Sequence, residues 1–481
     1  MDDLSAETGQ FERYLSTVAR ALDTWLTSDM PDPMAAGKDW QERLTGPAPG
    51  EGVGAEATID EFMRTVLPNG PRLSSSKSWG WITTGPTTVP VVLSAAAMVA
   101  APQRYTLTAF NRLEELSLEW LAEACSLGDH MKGVYSSGGS TANLVALGAA
   151  RQWAFEQADI DPSASGLGGR CCAVYTSVEA HHTVQRSAGV LGIGRDNVRL
   201  IPTDLKQRID VAKLRERLQR DREAGVLPVA IVAAAGTTNT GAVDPLRDVG
   251  ELAREFGAWF HVDGAYGLPG SLDKRVAPLY DGLELADSAI VDPHKWLGAP
   301  VGVAATFVRD RSILHRAFTQ EPADYLEGAF TPDDVQVSLD DMGIPYGDFG
   351  VELSSPSRGV MVWGILSELG IAGLRRRVVT DNDFARHVAR RAHEHPSLEV
   401  LAEPVLSICG FRYRAGIDSD LDGLNAAILR RLVRETPIII SSTIVNGALV
   451  LRPCFINART TLADVDDLVD TVVRLGAEIT S

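Results

Sequence analysis

The residues of this sequence best suited to chemistry are a lysine and an aspartate, each at the end of an apolar run. Lys295 lies in residues 292–296 (DPHKW), directly after the strand-like run 286–291. Asp263 ends an earlier strand-like run, 259–263 (WFHVD). A lysine amine can form a Schiff base with a cofactor aldehyde, and a carboxylate can keep a pyridine nitrogen protonated. Together the two residues predict a pyridoxal phosphate site.

A glycine-rich turn supplies a candidate phosphate site. Residues 136–143 (SSGGSTAN) follow an apolar pair and open a stretch, 144–151, with helical periodicity. Glycines at a strand-to-helix turn let backbone amides approach an anion, and the helix N-terminus adds partial positive charge. Gly139 and Ser140 are therefore placed to hold a phosphate. Similar turns often only cap helices, so this motif gains its weight from the lysine and the aspartate.

Two further segments follow in a suitable order along the chain. Residues 177–184 (SVEAHHTV) place His181 at a strand end, where an imidazole can stack on a pyridine ring. Residues 235–246 (AGTTNTGAVDPL) follow a buried-looking strand at 229–234 and carry hydroxyl groups into a loop. Each segment alone has an ordinary interpretation, as a surface histidine or a turn. Combined with the lysine motif, they favour a cofactor site.

These motifs together resemble the group II pyridoxal-phosphate-dependent amino-acid decarboxylases, which include the aromatic-amino-acid, glutamate and tyrosine decarboxylases. The resemblance extends from about residue 74 to the C-terminus, and its most specific element is residues 292–296. It implies a fold-type I (aspartate aminotransferase-like) α/β enzyme. It also implies that Lys295 carries the Schiff base, Asp263 pairs with the ring nitrogen, His181 stacks on the ring, Gly139, Ser140 and His294 surround the phosphate, and Thr238 and Ala265 contact the cofactor.

The reaction that the resemblance implies is decarboxylation of an L-amino acid to an amine and carbon dioxide. Family members place a tyrosine in a loop after the lysine, where it protonates the α-carbon, whereas related aldehyde synthases have phenylalanine. Residues 321–328 (EPADYLEG) put Tyr325 at that place. An oxidative aldehyde synthase, a transaminase-like enzyme or a retro-aldol lyase would share Lys295 and Asp263. A non-catalytic binding relative is the alternative from another class.

The sequence also departs from the family pattern. Asp292 stands where some members carry asparagine, and a carboxylate pointing at a phosphate would be costly. We therefore expect Asp292 to face a cation or backbone amides. The substrate is not implied, because the front of the site differs from the family. The candidate substrate residues are Trp79, Trp81, Thr83, Thr84 and Arg358, together with the partner's segment 103–105.

Three parts are predicted along the chain. Residues 1–80 form an N-terminal helical dimerisation segment, residues 81–370 a large cofactor-binding domain with a mainly parallel sheet, and residues 371–481 a small α/β domain. Helices are predicted at 11–26, 59–66, 89–101 and 462–475, and strands at 438–440 and 448–452. The apolar helix at 89–101 is interpreted as a core or dimer-interface helix. The resemblance implies a homodimer with active sites at the interface.

Composition limits the class of protein. The 481 residues are 45% hydrophobic and 22% charged, which is ordinary for a soluble globular protein. A net charge of −18 argues against nucleic acid or an anionic membrane as a partner. The five cysteines lack metal-ligand spacing, and we expect reduced thiols in the cytoplasm and no metal site. No secretory signal or membrane span is recognised.

Overall fold

The computed structural model describes residues 9–27, 39–102, 108–319, 344, 346–416 and 420–481. In addition to short 3-10 turns, the described residues form the α-helices α1 (Gln10–Thr27), α2 (Asp39–Arg43), α3 (Ala55–Glu61, continued by a π-helical turn over Phe62–Val66), α4 (Thr88–Ala100), α5 (Ala109–Ala124), α6 (Gly139–Glu156), α7 (Pro162–Ser165), α8 (Thr183–Val190), α9 (Val211–Glu223), α10 (Leu246–Phe256), α11 (Ser312–Phe318), α12 (Gly359–Glu394), α13 (Leu421–Glu435) and α14 (Leu462–Thr480).

The strands form two sheets. They are β1 (Lys132–Ser136), β2 (Cys172–Ser177), β3 (Val198–Ile201), β4 (Leu227–Ala234), β5 (Trp259–Asp263), β6 (Ser288–Val291), β7 (Ala304–Val308), β8 (Leu398–Ala402), β9 (Gly410–Tyr413), β10 (Ser441–Val445) and β11 (Ala448–Arg452). The large sheet has the order β1-β7-β6-β5-β4-β2-β3, and the small sheet has the order β10-β11-β9-β8. In the large sheet only β7 runs antiparallel to its neighbours, so the predicted mainly parallel sheet is confirmed.

The covering of the large sheet by helices explains why its strands are continuous apolar runs in the sequence. Helices pack on its faces, with α6 crossing β4 to β7 and α10 lying on β4 and β5. Strands covered on both faces are mostly apolar along their whole length. The register places Ala234 of β4 beside Asp263 of β5, and Asp263 beside Ile290 of β6. The carboxyl ends of these three strands therefore meet at one edge, where parallel sheets bind ligands.

The small sheet and its helices have a separate hydrophobic core. Trp79 belongs to this core, because the backbone around Ser78 forms a parallel bridge with Ile439. The predicted strand at 438–440 is wrong: these residues are buried, but the paired strand is Ser441–Val445. An apolar run signals burial and does not by itself specify ladder pairing.

Helix α12 connects the two units. Its backbone leaves helical geometry at Gly370 (φ 61°, ψ 173°), a conformation that glycine adopts without a steric penalty. The first part of α12 packs on α4 and α5, and the later part packs on β8 and α14. The predicted domain boundary at 370 lies at this break and stays a prediction. Within the described ranges, no helix has both the length and the apolar composition needed to cross a bilayer.

Candidate active site

A cavity of about 410 Å³ lies at the carboxyl ends of β4, β5 and β6. Its lining includes all eight residues that the sequence assigned to the cofactor: Gly139, Ser140, His181, Thr238, Asp263, Ala265, His294 and Lys295. Segments far apart in the sequence meet there because each one follows a strand of the same sheet. The structure therefore brings together the predicted cofactor residues, while their individual roles stay predictions.

One end of the cavity can receive a phosphate. Helix α6 begins there with Gly138 as its N-cap, and no side chain caps its first N–H groups. Uncapped N–H groups at a helix N-terminus bind anions, with help from the helix dipole. His294 lies beside this turn and donates its Nδ1 hydrogen to the Val303 carbonyl at 2.6 Å, which leaves Nε2 toward the cavity side.

Asp292 lies at the same end and faces a cation, as expected. Its Oδ2 atom is 2.9 Å from Lys295 Nζ, and its side chain is 1% exposed. The other oxygen, Oδ1, is buried without a hydrogen-bond partner among the described residues. A β-carbon built on Gly139 would lie 2.5 Å from Asp292 Oδ2, so glycine alone fits here unless the carboxylate moves. The lysine therefore has a buried counter-ion.

The loop that carries Lys295 is held by contacts on its far side. The Trp296 indole N–H donates to Asp381 Oδ2 at 2.8 Å, and Arg377 donates to the Leu297 carbonyl at 2.6 Å. Both partners belong to α12, and burial raises the pKa of Asp381 well above its ordinary value. These contacts hold the chain directly after Lys295 and leave its side chain free to reach into the cavity.

Asp263 is held by neutral donors. Asn143 Nδ2 donates to Oδ2 at 3.1 Å, and the Ala265 backbone N–H donates to Oδ1 at 3.2 Å. Neither donor neutralises the carboxylate, so its charge remains for a protonated ring nitrogen. His181 lines the same cavity, and burial lowers its pKa while the nearby Asp263 acts in the opposite direction. The ring is therefore neutral at pH 7.

These features fit the predicted pyridoxal phosphate. An uncapped helix N-terminus lies at one end, an unneutralised carboxylate lies in the lining, and a lysine is available for the aldehyde. The residues that would hold the group are Gly139, Ser140 and His294 at the phosphate, Asp263 at the ring nitrogen, His181 at the ring face, and Lys295.

The candidate substrate residues are placed differently from the cofactor residues. Trp79 is 1% exposed, donates to Thr460 Oγ1 at 2.8 Å and packs on Phe455, so its assignment to the substrate pocket is wrong. The physical reason is that its ring completes the core of the small domain. Thr84 is buried and donates to the Gly85 carbonyl at 3.5 Å, and it lies outside the cavity lining that the structure describes.

The other three candidates also lie outside the described cavity lining. Arg358 donates to Glu352, Ser355 and the Gly302 carbonyl, which uses its guanidinium in structural contacts. Trp81 is 45% exposed, and Thr83 is partly exposed. The predicted loop tyrosine, Tyr325, and the segment 103–105 lie outside the described residues.

The sequence reasoning missed several residues of the site. Asn143 and Thr183 hydrogen-bond to each other at 3.2 Å and line the cavity, and His261 hydrogen-bonds to Asn143 from behind it. Periodicity could have indicated two of them. Asn143 lies one helical turn after Gly139, and His261 lies two residues before Asp263 on one face of β5.

Comparison with known proteins agrees with this geometry. The family model "Pyridoxal-dependent decarboxylase conserved domain" matches residues 93–414, more than half of the chain. An aromatic-L-amino-acid decarboxylase of Bacillus atrophaeus is 31% identical over 373 residues, which cover 77% of this chain and 74% of that protein. A phenylacetaldehyde synthase of Arabidopsis thaliana is 27% identical over 383 residues, which cover 77% and 74% of the two chains.

A solved structure shows the same fold. The crystal structure of Oryza sativa TDC with PLP and tryptamine superimposes with a TM-score of 0.90 at 24% identity, and the match covers 100% of both chains. The family match and the 31% identical relative establish more than the fold. The chain belongs to the family of pyridoxal-phosphate-dependent decarboxylases, and it is an enzyme that removes the carboxylate of an amino acid as carbon dioxide.

Proposed function

We propose that this decarboxylase acts on an aromatic L-amino acid, with Lys295 as the Schiff-base lysine and Tyr325 as the proton donor. The observation that carries the assignment of roles is the meeting of Lys295, Asp263, His181 and the uncapped start of α6 in one cavity. The aromatic preference is supported by the relative from Bacillus atrophaeus, whose name states that class of substrate.

The charges of the cavity support a neutral substrate side chain. Glu179, Asp263 and Asp292 line it, and no arginine belongs to the part of the lining that the structure describes. Glu179 accepts a hydrogen bond from Asn239 at 2.8 Å, which holds its carboxylate in place. An amino acid with an acidic side chain would meet an excess of negative charge, whereas an aromatic ring would not.

Each of these site residues has a separate role in decarboxylation. When bound, pyridoxal phosphate supplies an electron sink for the pair released as the substrate carboxylate leaves. Asp263 would hold a proton on the ring nitrogen, and His181 would lie against the ring face. Lys295 would hold the group covalently through its aldehyde carbon. Tyr325 delivers the proton that replaces the carboxylate on the α-carbon, so that the product is an amine.

A substrate panel tests the preference. Phenylalanine, tyrosine and tryptophan should release carbon dioxide with a higher kcat/KM than glutamate or aspartate, and Lys295→Arg should abolish all of these activities. Borohydride reduction of the holoenzyme, followed by peptide mass mapping, should find the cofactor attached to Lys295. A preference for glutamate would overturn the aromatic assignment, and attachment to another lysine would overturn the assigned role of Lys295.

We also propose that the enzyme is a homodimer that associates through α4. This helix carries no charged residue, and Val92, Met98 and Val99 are each more than 60% exposed. Exposed apolar side chains on one helix mark an association surface. Because family members complete the site across the dimer, a second copy of this chain is the expected occupant.

The five free thiols support the predicted cytoplasmic location.

A matched pair of variants tests the dimer. Val99→Glu places a charge on α4, whereas Val190→Glu places one on α8 at nearly the same exposure, 69% against 67%. Analytical ultracentrifugation should find that Val99→Glu is a monomer and that Val190→Glu is a dimer. In a decarboxylation assay, Val99→Glu should be inactive and Val190→Glu should be active. A fully active monomer would refute the shared site, and an intact Val99→Glu dimer would refute the surface.

A further inference from the structure

A continuous chain of side-chain hydrogen bonds lies behind the cavity and joins the two groups that face the cofactor ring, Asp263 and His181. The members other than Asp263 and His181 have no role in the reaction described above. The chain runs from Trp259 through Ser288 and His261 to Asn143, where it divides toward Asp263 and, through Thr183, toward His181.

Asp263 fixes the direction of the bonds on the first branch. A carboxylate only accepts, so the Asn143 Nδ2 group faces Asp263, and Asn143 Oδ1 therefore faces His261 Nε2 at 3.0 Å. That nitrogen must carry a hydrogen. Burial lowers the pKa of His261 to about 4, so its Nδ1 is free to accept from Ser288 Oγ at 2.8 Å. Ser288 Oγ accepts the indole N–H of Trp259 at 2.7 Å.

The second branch fixes His181 in the same way. The remaining Nδ2 hydrogen of Asn143 points to Thr183 Oγ1 at 3.2 Å. The Thr183 hydroxyl then donates to His181 Nδ1 at 2.8 Å, and the Thr183 backbone N–H approaches the same nitrogen at 3.4 Å. Two donors leave Nδ1 without a hydrogen. A neutral His181 ring therefore carries its hydrogen on Nε2, so the chain of bonds selects the tautomer.

Burial keeps this arrangement from being replaced by water. The exposed fractions are 1% for Asn143, 0% for His261 and Ser288, and 2% for Thr183. Both amide hydrogens and the amide oxygen of Asn143 have partners, so no alternative orientation satisfies the same groups. Hydrogen bonds in such a low-dielectric environment are strong, and an unpaired member is costly.

We propose that Asn143 is a positioning residue that sets the orientation of the Asp263 carboxylate and the tautomer of His181 together. The ring-nitrogen partner and the ring-face partner are then coupled through one amide, with His261 and Ser288 holding that amide in place. The consequence for catalysis rests on the proposed function, because it requires the cofactor ring to lie between these two groups.

Histidine tautomers provide a direct readout. The chain has nine histidines, so ¹⁵N-labelled holoenzyme gives few side-chain signals, and His181→Gln and His261→Gln assign the two of interest. Both rings should carry their hydrogen on Nε2 at pH 7.5. In Asn143→Leu, the Thr183 hydroxyl loses the donor that orients it, so a smaller fraction of His181 should carry its hydrogen on Nε2. The dissociation constant for pyridoxal phosphate should rise about ten- to hundredfold, the usual effect of losing a hydrogen bond to a charged group.

Two other variants complete the test. Asn382→Leu removes an equally buried amide that donates to Asp273 at 3.0 Å in another part of the fold, and should lower Tm without changing either readout. Thr183→Val keeps Asn143 but removes the hydroxyl that donates to His181 Nδ1, so a smaller fraction of His181 should carry its hydrogen on Nε2 even if Asn143→Leu does not fold. An Nδ1-protonated His181 in the wild type, or unchanged readouts in Thr183→Val and Asn143→Leu, would overturn the inference. If the wild type binds no pyridoxal phosphate, the proposed function fails, while the tautomers still test Asn143.

Discussion

Replacing Gly139 by alanine tests the geometry of the phosphate end of the cavity. The added β-carbon would lie 2.5 Å from Asp292 Oδ2 and 3.1 Å from Oδ1, so the carboxylate must move by at least half an ångström. Asp292 is 1% exposed, and the free space beside it is the cavity itself. Without cofactor the carboxylate can swing into that space, but bound cofactor would block this movement.

The cost of the substitution should therefore appear in cofactor binding. Overpacking of this kind costs about 1–3 kcal/mol, which corresponds to a dissociation constant about 5- to 150-fold higher. The Tm of the cofactor-free protein should change little. Fluorescence titration with pyridoxal phosphate measures the first quantity, and thermal unfolding of the cofactor-free protein measures the second.

The neighbouring glycine provides the control. A β-carbon on Gly138 would meet only His294 Cε1, at 3.8 Å, and the backbone there (φ 160°, ψ 172°) is extended and accessible to alanine. Gly138→Ala should therefore keep nearly wild-type affinity. Equal affinity of Gly139→Ala and wild type would refute the steric argument, and an equal loss in both variants would refute its assignment to Asp292.

Two further predictions concern charge. Asp292→Asn removes a negative charge beside the uncapped start of α6, so fluorescence titration should find that pyridoxal phosphate binds about tenfold tighter or more. Pyridoxal, which lacks the phosphate, should gain less affinity. An equal gain for both ligands would contradict this prediction. The pKa of His261 is lowered from 6.5 to about 4 by burial, so the unfolded chain binds more protons between these values, and about 3 kcal/mol of stability should be lost as pH falls from 6.5 toward 4. Urea unfolding at pH 7 and pH 5 should show a weaker pH dependence for His261→Asn than for wild type; equal dependence would refute the assignment.

The sequence predicted the parts of the structure that depend on local patterns. Apolar runs identified β5 and β6, and the glycine turn identified the start of α6, because burial on both faces and helix capping leave clear local signals. The cofactor residues were found because each follows a strand, and parallel strands deliver their ends to one edge. Such inferences need no knowledge of long-range contacts.

The errors came from residues whose environment is set by distant partners. Trp79 resembled an entry-lining aromatic, but its ring packs on Phe455 and its indole N–H donates to Thr460. The run 438–440 resembled a strand, but it makes only a single bridge, at Ile439, and the ladder with β11 begins at Ser441. Asn143 was overlooked because its importance depends on His261, which lies 118 residues away in the chain. Helical periodicity places Asn143 on the same face as Gly139, but it does not reveal the contact with His261.

The central claim is that the cavity around Lys295 catalyses decarboxylation to an amine. The most direct test is to incubate the holoenzyme in air with a carboxyl-¹³C-labelled aromatic amino acid, and to measure ¹³CO₂, amine, aldehyde and hydrogen peroxide in the same sample. We predict one amine for each carbon dioxide, no peroxide, and no turnover by Lys295→Arg. Aldehyde and peroxide in place of the amine would contradict the account, as would undiminished turnover by Lys295→Arg.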